Sequence, residues 1–315
     1  MLEIAVMIEG QNGLTWPRWK KAARTVEEAG FIGLYRSDHY TNPHPPDKAS
    51  LELWVSLAWL ASHTERIEFG PLVSPVSFRH PSMTARMAAA VDDLSGGRLT
   101  LGLGAGWQDR EHEIFGWDLL EIPQRFDRFE EGLEIISRLL KRNTPSSYQG
   151  EYFQLREGIL LPRPTREGGP PLLVGGNGMQ RTLPLAARFA DEWNGVLIPP
   201  TAYRERNQRL DELLREEGRE PVQVRRSLMT GCVFGRTEEE VERKVRERTE
   251  GEKDAQQLRD QGLVVGTGED ILAQLEEIEG AGAGRVMLQW LDLDDLDGLQ
   301  ALAEAVLPEV DSPSI

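Results

Sequence analysis

The sequence has few of the residues that build disulfides or metal sites. It contains one cysteine, Cys232, and five histidines among 315 residues. A single cysteine excludes an internal disulfide and a cysteine metal cluster, and the scattered histidines lack the spacing of a zinc site. We therefore predict no metal centre and assign Cys232 to the core, where a lone thiol packs as a small apolar group.

Basic residues are also scarce. There are 36 Lys and Arg residues against 52 Asp and Glu residues, which gives a net charge of −16. This balance argues against binding to nucleic acid or to an anionic membrane surface. The amino-terminal LEIAVMI is typical of a strand rather than a signal peptide, and no apolar run is long enough to span a membrane. We expect a cytoplasmic protein whose partner is a small organic molecule.

Short β-rich runs alternate with helical patterns along the whole chain. The strand candidates are residues 3–8, 31–35, 67–73, 99–104, 172–174, 192–196, 222–234 and 286–289. Such alternation favours a parallel sheet covered by helices, and no long linker divides the chain. We therefore predict an α/β fold with one domain over residues 1–315, and eight strands fit a (β/α)8 TIM barrel.

Two insertions are expected in this barrel. Residues 148–153 suggest a small β-hairpin between the fourth and fifth strands. Residues 249–261 are highly polar and lengthen the connection between the last two strands. This segment is interpreted either as a mobile lid or as a solvated extra helix, since runs of charge usually face water.

Several motifs resemble one known family. VSPVSFRHP at 73–81 is followed by DLSGGRLTLGLGAGWQDREHEIFG at 93–116, and further matches occur at 30–39, 124–128, 150–153 and 174–194. In this order they resemble the luciferase-like family of flavin- or deazaflavin-dependent oxidoreductases, particularly the branch that uses coenzyme F420. The resemblance implies a TIM barrel, a homodimer and a cofactor bound at one end of the barrel.

Asp38 and His39 follow the second strand, at the end where a barrel carries its active site. An imidazole at this position can exchange a proton near neutral pH. Taken alone, the residues favour a structural interpretation, with Asp38 capping a loop and His39 packing. The resemblance favours catalysis, with His39 as proton donor or acceptor and Asp38 orienting the cofactor ring or the histidine.

The resemblance also implies two cofactor-binding segments. Pro71, Leu72, Val73 and Ser74 match the family's bulge against the central ring, which often contains a non-prolyl cis peptide; an ordinary strand end is the alternative. The segment Gly175, Gly176, Asn177, Gly178 and Met179 matches the family's phosphate-binding region. Free amides before a helix bind phosphate well, although glycine also ends strands.

Glycines at 102, 104 and 106 suggest close approach of the backbone to a flat ligand, because they lack a Cβ atom. Gly106 and Trp107 are therefore assigned to cofactor binding. Trp107 stands where sugar-phosphate dehydrogenases of the family have an acidic residue, which disfavours that substrate class. With Trp193 and Trp290 it could form an apolar mouth, although simple packing is favoured for those two.

Two further histidines, His80 and His112, are weaker candidates for chemistry and are interpreted structurally. His80 precedes a helix and is expected to cap it. His112 lies among Asp109, Arg110 and Glu111, where a surface ion network is expected.

The sequence thus predicts an F420-dependent oxidoreductase that transfers a hydride between the deazaflavin and a small organic substrate. One alternative is an FMN-dependent monooxygenase of the same fold, supplied with reduced flavin by a partner reductase. Another is a non-catalytic flavin-binding barrel, which the Asp38-His39 pair argues against.

Overall fold

Short, buried strands run in parallel around the centre of the protein in the computed structural model, which describes residues 2–310. In chain order the elements are β1 (Glu3–Ile8), α1 (Trp16–Ala29), β2 (Gly33–Arg36), α2 (Leu53–His63), β3 (Glu68–Pro71), β4 (Ser74–Pro75), α3 (Pro81–Leu94), β5 (Leu101–Gly104), α4 (Asp109–Phe115), α5 (Ile122–Lys141), β6 (Ser146–Gln149), β7 (Gln154–Gly158), β8 (Leu172–Gly175), α6 (Thr182–Phe189), β9 (Glu192–Val196), α7 (Pro200–Glu216), β10 (Arg225–Phe234), α8 (Glu238–Thr249), α9 (Ala255–Asp260), β11 (Val264–Gly266), α10 (Gly268–Gly280), β12 (Arg285–Gln289) and α11 (Leu296–Val310).

The strand order closes into a barrel. β1 pairs in parallel with both β2 and β12, so strands from the two ends of the described chain are neighbours. The order continues from β12 through β10, β9, β8 and β5 on one side, and from β2 to β3 on the other. A parallel bridge between Phe69 and Leu99 joins these two ends. The predicted (β/α)8 barrel is confirmed, with β4 and β11 as short additions.

Helices cover the barrel through apolar stripes. In α1, Trp19, Ala22, Ala23 and Val26 are buried, and their spacing places them on one face of a helix. Gly30 ends α1 in the left-handed conformation, with φ of 97°, which glycine adopts without steric cost. The amphipathic pattern that predicts this helix from the sequence therefore also fixes which face meets the sheet.

The barrel interior is filled by side chains rather than open. A buried apolar cluster in the interior consists of Ala5, Met7, Tyr35, Leu72, Leu173, Met229 and Met287. At the amino-terminal end of the strands, the fully buried Arg285 contacts Glu3 Oε2 at 2.6 Å and Glu68 Oε2 at 2.8 Å. This ionic cluster closes one end, as expected for a barrel whose active site lies at the other.

Some predicted boundaries shift. The third strand, predicted to run from 67 to 73, ends at Pro71, and the separate two-residue strand β4 begins at Ser74. The seventh, predicted from residue 222, begins at Arg225 because a 3-10 turn at Pro221–Gln223 precedes it. The predicted hairpin is present as β6 and β7.

The polar segment 249–261 contains α9. Asp254 and Gln257 form a capping box at its start, and Leu258 is buried in a cluster with Val241 and Val265. None of the described residues of this segment lines the cavity at the carboxyl ends of the strands. The packing favours the extra helix over the lid. Within residues 2–310, no helix combines the length and apolar character needed to cross a membrane.

Candidate active site

A cavity of about 420 Å³ opens at the carboxyl ends of the barrel strands, a size typical of small-molecule sites. Its lining comes from residues at or just after the ends of β1, β2, β5, β8, β9 and β12. Two other cavities lie elsewhere. One of about 680 Å³ is at the opposite end of the barrel, around Glu68 and Glu192, and one of about 350 Å³ lies between α9 and α10.

The carboxyl-end cavity combines apolar walls, formed in part by Leu72, Val73 and Trp107, with a few polar side chains. That combination is characteristic of ligand sites. Across residues 2–310 the side chains form no group of three or more His, Cys, Asp or Glu that could hold a metal ion.

A bulge between β3 and β4 forms one wall of the cavity. The peptide between Leu72 and Val73 is cis, as the resemblance implied for this segment. A Cβ atom on Gly104 would lie 2.6 Å from Val73 Cγ2, and one on Gly175 would lie 2.9 Å from Val73 Cγ1. These glycines therefore make room for the Val73 side chain. The expectation that Gly104 serves mainly to admit a ligand is corrected accordingly.

His39 lies at the cavity, in the loop after β2, and is held by Glu111 of α4. Nδ1 is 2.6 Å from Glu111 Oε1, and Glu111 Oε2 accepts a hydrogen bond from the Tyr40 backbone N–H at 3.1 Å. The Glu111 side chain is only 1% exposed. The His39 ring also lies edge-on to Trp107, with 5.5 Å between ring centroids. His39 Nε2 has no hydrogen-bond partner among the described residues and remains free to meet a ligand.

The environment favours the charged form of His39. Burial lowers the pKa of the imidazole, but the hydrogen bond and the negative charge of Glu111 outweigh burial. With further help from the charges of Glu9 and Asp38, they raise the pKa above its ordinary value of 6.5. The histidine therefore takes up a proton more readily than a free imidazole, which suits a group that exchanges a proton with a ligand.

Asp38 has different partners from those expected. Its carboxylate accepts hydrogen bonds from Ser74 Oγ at 2.7 Å and from Arg79 Nη1 at 2.5 Å. Arg79 also contacts Tyr40 Oη and Glu52 Oε1, each at 2.9 Å. The carboxylate that orients His39 is Glu111, so the prediction that Asp38 does so is corrected. Asp38 instead ties the loop after β2 to the bulge.

The glycine segment after β8 reaches the cavity only in part. Gly175 and Gly176 line it, together with Thr182 at the start of α6. Three residues separate Gly178 from the helix, so the glycines do not open it directly as predicted. The Asn177 side chain is bonded to Val196, donating to its carbonyl at 2.7 Å and accepting from its N–H at 2.9 Å.

Several residues predicted to bind the cofactor do not line the cavity. Gly106 and Trp107 line it, whereas its lining does not include Asp38, Pro71, Ser74, Asn177, Gly178 and Met179. Of the three tryptophans considered for an apolar mouth, Trp107 is 57% exposed at the cavity, while Trp193 and Trp290 are buried. The packing interpretation of those two is confirmed.

The interpretations of the two other histidines have opposite outcomes. His80 caps α3, accepting a hydrogen bond from Ser82 N at 3.3 Å. The surface network expected around His112 is wrong, because His112 and Glu111 are both buried. His112 Nε2 lies 2.8 Å from Ser77 Oγ, and Nδ1 lies 2.7 Å from the Gln108 carbonyl oxygen. Both ring nitrogens are therefore engaged with the protein.

A polar network that motif analysis missed lines another part of the cavity. Glu9 accepts hydrogen bonds from Gln11 Nε2 at 2.9 Å and Gln289 Nε2 at 2.7 Å. Gln11 Oε1 accepts from Ser37 Oγ at 2.8 Å. These residues have no recognisable motif, but all stand at or just after the ends of barrel strands. That position is the signal by which the sequence could have indicated them.

Comparison with known proteins agrees with this architecture. A profile described as luciferase-like monooxygenase matches residues 3–285. An F420-dependent hydroxymycolic acid dehydrogenase of Mycobacterium tuberculosis (strain ATCC 25618 / H37Rv) is 33% identical over 175 residues, covering 54% of this chain and 46% of the relative. A 4-hydroxyprotoasukamycin monooxygenase of Streptomyces nodosus subsp. asukaensis is 30% identical over 188 residues, covering 60% of this chain and 49% of the relative.

Among solved structures, an F420-dependent secondary alcohol dehydrogenase in complex with an F420-acetone adduct has a TM-score of 0.84. It is 18% identical, with 99% of each chain covered, and this likeness concerns the fold alone. The chain spans about half the length of the curated relatives it matches.

Proposed function

Because this chain belongs to the luciferase-like monooxygenase family, we propose that it is an oxidoreductase that binds coenzyme F420 at the carboxyl ends of the barrel strands. It transfers a hydride between the deazaflavin and an organic substrate. The observation that carries this proposal is the His39–Glu111 pair beside an otherwise largely apolar cavity. The names of two similar proteins, both F420-dependent dehydrogenases, support the choice of cofactor.

The cavity has features that fit a flavin-like ring. Leu72 and Val73 offer an apolar wall, and the volume of about 420 Å³ is in the range of ligand sites. Asn194 adds a buried amide oxygen that has no partner within the described chain, which a ring N–H could satisfy. When bound, F420 supplies the group that accepts or donates a hydride.

The protein's own contribution to the reaction is a side chain that takes up or releases a proton. Glu111 accepts the hydrogen bond from His39 Nδ1–H, which leaves Nε2 as the basic nitrogen of the neutral ring. We assign to Nε2 the removal of a proton from a substrate hydroxyl during oxidation, and its return to a keto oxygen during reduction. A secondary alcohol or ketone is therefore the proposed substrate class, in keeping with the names of the two dehydrogenases.

The phosphate of the cofactor is assigned to the turn after β8. Gly175 and Gly176 line the cavity there, together with Thr182. The backbone N–H groups of Asn177 and Gly178 and the Thr182 side chain are donors suited to an anion, whereas the Gly176 N–H already donates to the Asn194 carbonyl oxygen at 2.9 Å. Arg181, which could add positive charge here, pairs with Asp127 at 3.0 Å on the surface and is not among the residues that line the cavity.

Separate titrations with F420 and FMN test the cofactor assignment. We expect tighter binding of F420, followed by substrate-linked absorbance change of F420 under anaerobic conditions with a panel of secondary alcohols and ketones. The competing function is an FMN-dependent monooxygenase, which the monooxygenase relative favours. If reduced FMN supports oxygen-coupled product formation while F420 neither binds nor turns over, the F420 proposal is wrong and a partner reductase is required.

One further expectation from the resemblance, a homodimer, belongs to this proposal. We propose a homodimer, to be measured by analytical ultracentrifugation at several protein concentrations; a monomer at all of them would contradict it. If the protein binds the cofactor but turns over none of the substrates tested, the non-catalytic flavin-binding barrel is favoured instead.

A further inference from the structure

Asn194 places a single unsatisfied acceptor in the cavity. It lies in the middle of β9, its side chain is fully buried, and it belongs to the cavity lining. Its Oδ1 is one of the buried polar atoms that have no hydrogen-bond partner within the described chain. Buried amide oxygens are almost always paired in folded proteins, so this atom requires a donor from outside the chain.

The orientation of the amide follows from its neighbours. Asn194 Nδ2 donates to Ser227 Oγ at 2.9 Å and lies 3.7 Å from Met287 Sδ. The Ser227 hydroxyl has acceptors of its own in the Trp193 carbonyl oxygen, at 3.3 Å, and in the Glu192 carboxylate, so Ser227 meets Asn194 as an acceptor. The NH2 group must therefore face Ser227, and Oδ1 is the atom left over.

The protein offers Oδ1 no replacement donor nearby. Met7, Val196 and Met229, which line the same cavity from β1, β9 and β10, have side chains without N–H or O–H groups. One N–H of the Gln289 amide donates to Glu9 at 2.7 Å, and neither of its hydrogens reaches Oδ1, which has no partner within the described chain. A ligand that reaches this region must bring its own donor.

We propose that Asn194 Oδ1 accepts a hydrogen bond from the imide N–H of a pyrimidine-dione ring, the edge shared by flavins and deazaflavins. This inference rests on the proposed function and deepens it, because it assigns which edge of the ring points into the barrel. The imide N–H is flanked by two carbonyls and is the ring's own N–H donor in the oxidised state. Placing it at Oδ1 satisfies the buried acceptor and directs the rest of the cofactor toward the open end of the cavity.

Methylation of the ring imide nitrogen gives a direct test. Dissociation constants for FMN and F420 are compared with those of their imide N-methyl derivatives by fluorescence titration, a readout independent of turnover. We expect the wild-type protein to bind the parent ring about tenfold or more tightly than the methylated ring, the loss of one hydrogen bond to a buried acceptor. Equal affinities would overturn the inference without any variant being made.

The Asn194→Leu variant separates hydrogen bonding from steric exclusion. Leucine keeps similar bulk but removes the acceptor, so the preference for the parent ring should fall to near unity. Met229→Leu is the matched control, because it reshapes the same cavity without changing a polar atom and should keep the preference. A preference that persists in Asn194→Leu would mean that the methyl group is merely too large. Failure of both parent cofactors to bind wild-type protein would instead overturn the proposed function itself.

Discussion

The imidazole of His39 and the carboxylate of Glu111 form a short hydrogen bond at the mouth of the barrel, with 2.6 Å between Nδ1 and Oε1. The two residues are 72 positions apart in the chain. Glu111 is fixed through both oxygens, because Oε2 accepts the Tyr40 backbone N–H. The histidine is thereby oriented with Nε2 left for a ligand, and its protonation is coupled to a carboxylate that water barely reaches.

Replacing His39 by asparagine tests the proton transfer. The His39→Asn variant should keep much of the cofactor affinity while turnover falls by about two to four orders of magnitude, the usual contribution of a general acid or base. The measurement is single-turnover hydride transfer against pH. Equal rates and equal pH profiles in both proteins would show that His39 only packs, and loss of cofactor binding in a folded variant would make it a binding residue.

Replacing Glu111 by glutamine tests whether its carboxylate sets the protonation of His39. Without the carboxylate, burial still lowers the pKa of His39 and the largest opposing effect is lost, so its titration, followed by NMR, should move to lower pH than in wild type. The pH–rate profile should shift in the same direction. An unchanged His39 titration would show that Glu111 does not set its protonation.

The same variant has a predicted effect on stability. Since the folded-state pKa of His39 is raised, its contribution to stability is fully present below about pH 6.5 and is lost as pH rises through the folded-state value. The difference in unfolding free energy between wild type and Glu111→Gln should therefore be largest in mildly acidic solution and shrink at alkaline pH. Denaturant titrations at several pH values measure it, and a difference that grows with pH would contradict the assignment.

A bulky residue at Gly178 tests the phosphate assignment. A Cβ atom there would lie 2.9 Å from Thr182 Oγ1, so Gly178→Val should displace that hydroxyl and crowd the neighbouring amides. Titration should show weaker binding of both F420 and FMN. Gly280→Val is the control, because nothing lies within 4 Å of a Cβ atom at that position. Unchanged cofactor affinity in Gly178→Val would place the phosphate elsewhere.

The ionic cluster around Arg285 lies at the end of the barrel opposite the cavity. It should stabilise the folded protein and should not affect cofactor binding. Arg285 is fully buried against Glu3, Glu68 and Glu192, so Arg285→Met removes their buried cation and leaves them only the more distant, partly exposed Arg225. We expect a loss of about 3 kcal/mol in unfolding free energy, because breaking a buried ion pair leaves uncompensated charge. Urea denaturation measures this loss.

The control for this change is Arg18→Met. Arg18 pairs with Asp294 where both side chains are exposed, and such pairs contribute little. Equal stability losses in the two variants would show that burial does not distinguish them.

Local patterns in the sequence were sufficient to locate most of the barrel. Alternating β-rich and amphipathic segments indicated all eight barrel strands, because periodicity reports which face of an element is buried. The break at the cis peptide between Leu72 and Val73 was suggested by resemblance rather than by pattern. The start of β10 at Arg225 was missed because Val222 and Val224 have strand-forming side chains although a 3-10 turn precedes the strand.

The residues of the candidate site were predicted less completely than the barrel strands. His39, Val73 and Trp107 were assigned to it and lie at the cavity. Glu111 was assigned, with Asp109 and Arg110, to a surface network around His112, because a run of charged residues usually faces water. Its burial comes from the packing of α4 against the loop after β2, a contact that local charge does not reveal.

The sequence by itself determined the alternation of strands and helices, the family, and the end of the barrel at which the cavity lies. These properties depend on residues close together in the chain, whose periodicity and order are visible without coordinates. Only the tertiary structure decided that Glu111 rather than Asp38 holds His39, that Gly104 makes room for Val73, and that Asn194 keeps an unpaired oxygen. Each of these depends on contacts between segments far apart in the chain, which packing of the closed barrel brings together.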